Sequence, residues 1–311
     1  MPRLRGLVAA PHTPFDGGGR LLLDRVAPLA AHLAATGVSA VFVAGSTGEW
    51  PSLTVDERLR LARRWIEVGV DAGLPVVVHV GHHCLDDARV LATDAQAAGA
   101  DGIATLVPSF FRPPDVHAVV DWCAAVAATA PELPFYYYDI PALTGVVVDP
   151  TAFLDGARAA VPTLAGVKFT RDDPAALEAV IAAAGDDLDV LFGCDEKLLD
   201  AWRLGVRGAV GSSYNYAAPL YRRVIEAAEA GDLEAAEEEQ RRAARMIDVL
   251  AAHGYTSAAK QLMARVGVDV GATRPPLRPL TEDALDSIVL RLAALGVPGA
   301  ADWARDGAPS T

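Results

Sequence analysis

Short uninterrupted apolar runs recur at regular intervals along the chain, separated by longer Ala-rich stretches with helical spacing. The runs are GLVAA (6–10), SAVFVAG (39–45), PVVVHVG (75–81), DGIATLVP (101–108), LPFYYYDIP (133–141), LAGVKFT (164–170), LDVLFG (188–193) and VRGAVGSS (206–213). A strand that is apolar on both faces belongs in a parallel sheet covered by helices. Eight of them, each followed by a helical segment, predict an α/β fold of the (β/α)8 barrel type. Three junctions echo one another: AATGVSAVFVAG (34–45), QAAGADGIATLV (96–107) and WRLGVRGAVGSS (202–213). Each ends a helix at Gly and starts a strand two or three residues later, as a left-handed Gly C-cap requires. The eighth crossover finishes near residue 230, so residues 1–230 are expected to form the barrel that carries the active site. Residues 231–311 read as a C-terminal helical extension. It follows a break at Gly231-Asp232 and has a helix around Lys260, a rigid TRPPLRPL link (273–280), a helix near 282–295 and a frayed GAPST end.

Composition narrows the function classes. The chain has 311 residues, 52% hydrophobic and 22% charged, enough to bury a large core. A net charge of −13 excludes a basic nucleic-acid footprint and disfavours an anionic membrane surface. Cys84, Cys123 and Cys194 are odd in number and far apart, which suits a reducing cytoplasm better than a disulfide framework. The apolar part of MPRLRGLVAAPHTPFD is too short for a secretory signal, and no apolar run is long enough to span a bilayer. A cytoplasmic protein is expected.

Lysine is scarce: 24 arginines stand against Lys168, Lys197 and Lys260. Lys168 sits near the end of the apolar run LAGVKFT. An arginine cannot replace a lysine that must lose its proton, because the guanidinium stays charged. A desolvated amine at a strand end is a carbonyl-attacking nucleophile; equally, a packed stem with a snorkelling head explains the same residue. Lys197 reads as a solvated residue at a helix start, and Lys260 as a structural cation on a C-terminal helix.

Chemistry in such barrels lies at the C-terminal strand ends, where this sequence concentrates polar residues. GSTGEW (45–50) can form a turn whose amides and Ser46 and Thr47 hydroxyls cradle a carboxylate, or a plain Ser/Thr-capped strand-to-helix turn. In YYYD, alternation puts Tyr136 and Tyr138 on one face and Tyr137 on the other. Tyr138, nearest the end, is placed to carry a proton opposite Lys168, although packing alone accounts for at least one of the three rings. Asp195 and Glu196 in FGCDEK can bind sugar hydroxyls or simply suit the dipole of a helix start. Ser212 and Ser213 follow strand eight, where barrels hold polyols or phosphate. His79, His82, His83 and Cys84 have no chelating spacing, so no metal is expected.

The pieces GSTGE, YYYDIPALTGV, GVKFT, FGCDE and GAVGSSYN, in this order and spacing, resemble the N-acetylneuraminate lyase and dihydrodipicolinate synthase superfamily. The likeness runs from PHTPF to the C-terminal helices. YYYDIPALTGV and the GVKFT-to-FGCDEKLL stretch look most like the N-acetylneuraminate lyase subgroup. The resemblance implies that Lys168 forms a Schiff base with the 2-keto carbon and that Tyr138 transfers a proton. It implies that Ser46 and Thr47 bind the keto-acid carboxylate, with Thr47 also relaying to Tyr138. Thr170, Gly193, Asp195, Glu196 and Ser212 match positions that hold the sugar chain. The expected activity is a pyruvate-dependent aldolase without cofactor or metal, cleaving N-acetylneuraminate to N-acetylmannosamine and pyruvate. Its partners would be a 2-keto acid and a sugar aldehyde, and its assembly a homotetramer built from dimers. A 2-keto-3-deoxy sugar acid aldolase or dehydratase is the first alternative, and 4-hydroxy-tetrahydrodipicolinate synthesis the second. The synthases carry an Arg where this chain has Leu143, and losing that bidentate carboxylate partner argues against them. Many relatives carry a Tyr where Phe110 or Phe111 stands, and a phenyl ring relays no proton between subunits; animal-type lyases share the Phe. A keto-acid sensor without turnover would need neither Lys168 nor Tyr138.

Overall fold

A computed structural model describes residues 3–303. The GAPST end lies outside the described residues. Eight strands form: β1 (Gly6–Ala9), β2 (Ala40–Val43), β3 (Val76–His79), β4 (Gly102–Thr105), β5 (Phe135–Asp139), β6 (Leu164–Phe169), β7 (Asp189–Phe192) and β8 (Gly208–Gly211). Each pairs in parallel with the next and β1 with β8, which closes the barrel. The strands are shorter than the apolar runs because the last residues of each run leave the sheet to build the rim. At the three echoed junctions Gly37, Gly99 and Gly205 all have positive φ (87°, 84° and 103°), the left-handed turn that lets the helix end abruptly.

Alternation along each strand divides the apolar side chains into two layers. Phe42, Val77, Tyr136, Tyr138, Leu191 and Val210 fill the barrel interior, while Val41, Val43, Tyr137, Val167 and Phe192 face the surrounding helices. At the N-terminal end of the barrel, Asp189 Oδ2 accepts from the Leu4 amide at 3.1 Å and the Tyr136 hydroxyl at 3.0 Å. Tyr136 is thereby committed to the barrel floor, leaving Tyr138 for the mouth.

Beyond β8 the chain continues as helices Tyr214–Glu229, Leu233–Ala251, Tyr255–Arg265 and Glu282–Ala294, ending in a short turn at Ala300–Trp303. Met246, Leu262 and Ile288 from these helices pack in the same apolar layer as the barrel's outer face. Among the described residues no helix is long and apolar enough to cross a membrane.

Candidate active site

The C-terminal strand ends surround a cavity of about 580 Å³. Lys168 lies inside it, buried to 4% exposure, and its backbone pairs directly with Tyr138 across the β5–β6 ladder. The amine sits 3.8 Å from the centre of the Tyr138 ring and 4.3 Å from that of Phe42. Burial strips its hydration and pushes the pKa down from 10.5 to about 7, against the opposing pull of Asp195 and Cys194. A large fraction is therefore neutral at neutral pH. The snorkelling alternative fails, because the head of the side chain is as enclosed as its stem.

Burial also acts on Tyr138, raising its phenol to about 12, with the Ser46 hydroxyl at 3.4 Å working in the opposite direction. That hydroxyl contact comes from Ser46, where the resemblance led us to expect Thr47; Thr47 instead lines the cavity beside it. The turn bearing both is tightly shaped. Ala44 and Glu49 take positive φ (54° and 55°), a conformation costly for residues with a Cβ, and Glu49 N donates to Ser46 O at 3.0 Å.

What holds this turn is one of the other lysines. Lys260, wholly buried, reaches 2.6 Å to Glu49 Oε1, while Glu49 Oε2 accepts from the Arg274 amide at 2.9 Å. Lys260 also stands 4.0 Å over the Phe15 ring. Its pKa falls to about 8, burial outweighing the Glu49 attraction. The C-terminal helices thus clamp the loop after β2. Lys197 behaves differently, pairing at the surface with Asp172 at 2.5 Å.

Thr170, Gly193 and Ser212 line the cavity together with Lys168 and Tyr138. A Cβ at Gly193 would collide with the Thr170 hydroxyl, which is buried without a hydrogen-bond partner among the described residues. Asp195 and Glu196, expected side by side at the rim, part company. A 3-10 turn over Asp195–Lys197 sends Glu196 to solvent and Asp195 inward. Asp195 Oδ2 accepts from Ser213 N at 2.9 Å and Ser213 Oγ at 2.5 Å, while Oδ1 has no partner among the described residues. Burial pushes this carboxyl up to about 6, with the Ser213 bonds opposing. Neither acid lines the cavity wall, but the Asp195 charge is felt at Lys168.

The histidines do not converge. His79 is buried in the barrel with Nδ1 2.9 Å from Ala44 O, and burial keeps it neutral. His82 approaches Asp87 at 3.3 Å, His83 meets Ser109 at 3.1 Å, and Cys84 is exposed. Among the described residues no three His, Cys, Asp or Glu side chains are grouped to hold a metal ion. Several wall residues escaped sequence reasoning. Tyr255 and Thr256 enter from the helix at Tyr255–Arg265, and the Tyr255 hydroxyl lies 2.7 Å from Ser212 and 3.0 Å from Tyr216. Trp50, His83 and Ser109 complete one side, and His12 lies near the Ser46–Thr47 turn. Their signal, isolated polar or aromatic residues in apolar or loop segments, resembles that of ordinary packing residues.

Against known sequence families, residues 3–295 match the model of the dihydrodipicolinate synthetase family. The chain belongs to that family. Within it, the chain is 38% identical over 285 residues to the N-acetylneuraminate lyase of Mus musculus, covering 90% of this chain and 89% of the relative. Identity to the Homo sapiens N-acetylneuraminate lyase is 37% over 297 residues, covering 94% and 93%. Among solved structures, Proteus mirabilis N-acetylneuraminate lyase superposes with a TM-score of 0.92 at 36% identity, covering 95% of this chain and 99% of that one. A dihydrodipicolinate synthase from Bacillus anthracis superposes at 0.87 with 26% identity, covering 95% and 98%. Both branches of the family therefore share the backbone, and identity leans toward the lyases. Leu143 lines the cavity at its exposed edge.

Proposed function

We propose that this protein is an N-acetylneuraminate lyase, a Schiff-base aldolase that releases N-acetylmannosamine and pyruvate. The observation that carries the reading is the buried Lys168 amine, its pKa lowered to about 7, in the cavity at the C-terminal strand ends and 3.8 Å from the centre of the Tyr138 ring.

The reaction runs on this chain's own side chains. Neutral Lys168 adds to the C2 ketone of the open-chain sugar, and water leaves to give a protonated imine. Ser46 and Thr47 hold the C1 carboxylate. The C4 hydroxyl then gives its proton to Tyr138, the C3–C4 bond breaks, and its electron pair flows into the imine to form the enamine of pyruvate. At a pKa of about 12 the phenol is protonated at rest, so it must release its own proton as it takes the new one. The imine charge, forming beside the ring, lowers the phenol pKa at the moment this is needed, and the cradled carboxylate is a ready acceptor. Protonation of the enamine at C3 and hydrolysis return pyruvate and free Lys168. Thr170, Gly193 and Ser212 are assigned to the sugar chain, Asp195 to the rear of the same region, and Glu196 to its solvent edge.

The leaning of sequence identity toward the lyases supports this substrate, as does Leu143 in place of the synthase Arg. The partners are then a 2-keto acid and a sugar aldehyde. We assign the protein to the cytoplasm, which suits its three free thiols, and to a homotetramer. Phe110 and Phe111, 79% and 85% exposed in edge-to-face contact at 5.0 Å, are apolar enough to belong in a subunit interface. Light scattering on the eluting protein tests the assembly. For the activity, pyruvate release should be followed with N-acetylneuraminate and, separately, with 2-keto-3-deoxy sugar acids. Turnover of the first supports the reading; turnover of only the second would move the enzyme to another branch.

A further inference from the structure

Ser46 and Thr47 can hold a carboxylate only while the turn that carries them keeps its shape, and that shape is not one its residues prefer. Ala44 precedes the turn and Glu49 closes it, and both have positive φ, 54° and 55°. Neither is glycine, so each is strained and would relax if nothing held it. Inside the turn, Glu49 N donates to Ser46 O at 3.0 Å and Trp50 N to Gly45 O at 3.3 Å.

The hold from outside is on the Glu49 side chain, which is 3% exposed and lines the cavity. Lys260 Nζ donates to its Oε1 at 2.6 Å and the Arg274 amide to its Oε2 at 2.9 Å, across 211 and 225 positions of chain. Both carboxylate oxygens are thus fixed by the C-terminal extension.

The anchors are fixed in turn. Lys260 is fully buried and lies one turn beyond Thr256 on the helix Tyr255–Arg265, where Tyr255 and Thr256 line the cavity. The Arg274 guanidinium donates to Gly19 O at 2.8 Å and Ser52 O at 2.6 Å. Both cations stand over the Phe15 ring, at 4.0 and 4.1 Å from its centre. A buried ion pair is not required for stability, since an apolar pair of similar size is often as stable. Its place against the turn that bears Ser46 and Thr47 gives it another use.

We propose that Lys260 is a positioning residue for keto-acid binding: by holding Glu49 it fixes the turn in the form in which Ser46 and Thr47 meet the carboxylate. The inference rests on the keto-acid reading above and brings the C-terminal extension into it. Lys260 touches no substrate. It raises affinity because the turn need not be re-formed when the ligand arrives.

The test is the pyruvate concentration that half-saturates borohydride trapping on Lys168, read by intact mass, in wild type and in Lys260→Met/Glu49→Gln. That double variant removes the pair and leaves no buried charge behind. It should need about tenfold more pyruvate, a factor within the cost of re-forming one left-handed residue at each binding event. For the sugar, KM should rise far more than kcat falls. Half-saturation at the wild-type concentration would overturn the inference, whatever the variant's stability. Acetone, a ketone without the carboxylate, serves as the control, its adduct located on Lys168 by peptide mapping. Its half-saturation should be the same in both proteins. A loss as large as that for pyruvate would place the damage at Lys168 instead of the turn, and would also overturn the inference. Should the double variant fail to fold, Glu49→Gln alone decides. It turns an ionic contact into a neutral one, so half-saturation should rise about threefold, and an unchanged value overturns the inference. No adduct in wild type at any pyruvate concentration would overturn the keto-acid reading itself, whereas wild-type trapping with an indifferent double variant overturns this inference alone.

Discussion

Keeping Lys168 ready for attack should cost the fold stability, and Lys168→Met exposes that cost. In the unfolded chain the amine has its ordinary pKa of 10.5, and in the folded protein about 7. Between these values the unfolded state binds more protons than the native state, so stability rises with pH across that window. The penalty is full below about pH 7 and vanishes above about 10.5. At roughly 1.4 kcal/mol per pKa unit it amounts to about 5 kcal/mol at low pH, roughly 4 at pH 7 and roughly 2 at pH 9. Met has a similar length, no charge and good packing tolerance. Lys168→Met should therefore be more stable than wild type by a few kcal/mol at pH 7, with about half that gain left at pH 9. Losing the cation that favours ionised Asp195 trims both figures. Urea unfolding at both pH values and one fixed protein concentration measures it. A variant less stable than wild type at pH 7, or a difference that fails to shrink by pH 9, would refute the desolvated-amine argument.

Three further outcomes follow from the same geometry. Tyr138→Phe should lower kcat by roughly 10²- to 10⁴-fold, the range for a lost acid–base group, while pyruvate is still trapped on Lys168; the kinetic assay and the intact mass read these separately. The acid limb of kcat/KM should lie near pH 7, where Lys168 loses its proton. Because the Asp195 charge raises that pKa, Asp195→Asn should move the limb to lower pH, and a shift to higher pH would contradict the assignment. Lys260→Met leaves Glu49 buried without its cation and should cost about 3–5 kcal/mol in denaturant unfolding, part of which Glu49→Gln in the same chain should restore.

The barrel was legible because its strands are apolar on both faces, a pattern few other folds require. Lys168 and Tyr138 were legible because each lies near the end of such a strand, where alternation dictates which ring faces inward. The rest depended on distances that no local pattern encodes. Asp195 and Glu196 are neighbours in sequence, yet a 3-10 turn sends one inward and one to solvent. Tyr255 lies 43 positions from Ser212, and only the packing of its helix brings their hydroxyls together. Lys260 was placed on a C-terminal helix as a structural cation, but its partner Glu49 lies 211 positions away.

The most direct test of the Schiff-base assignment is to incubate the protein with N-acetylneuraminate and borohydride, measure the intact mass and map the modified peptide. The account predicts a reduced pyruvyl group on Lys168, which requires that the sugar was bound, cleaved and held as its enamine. An adduct on Lys197 or Lys260, or no adduct on a protein that turns the sugar over, would contradict it.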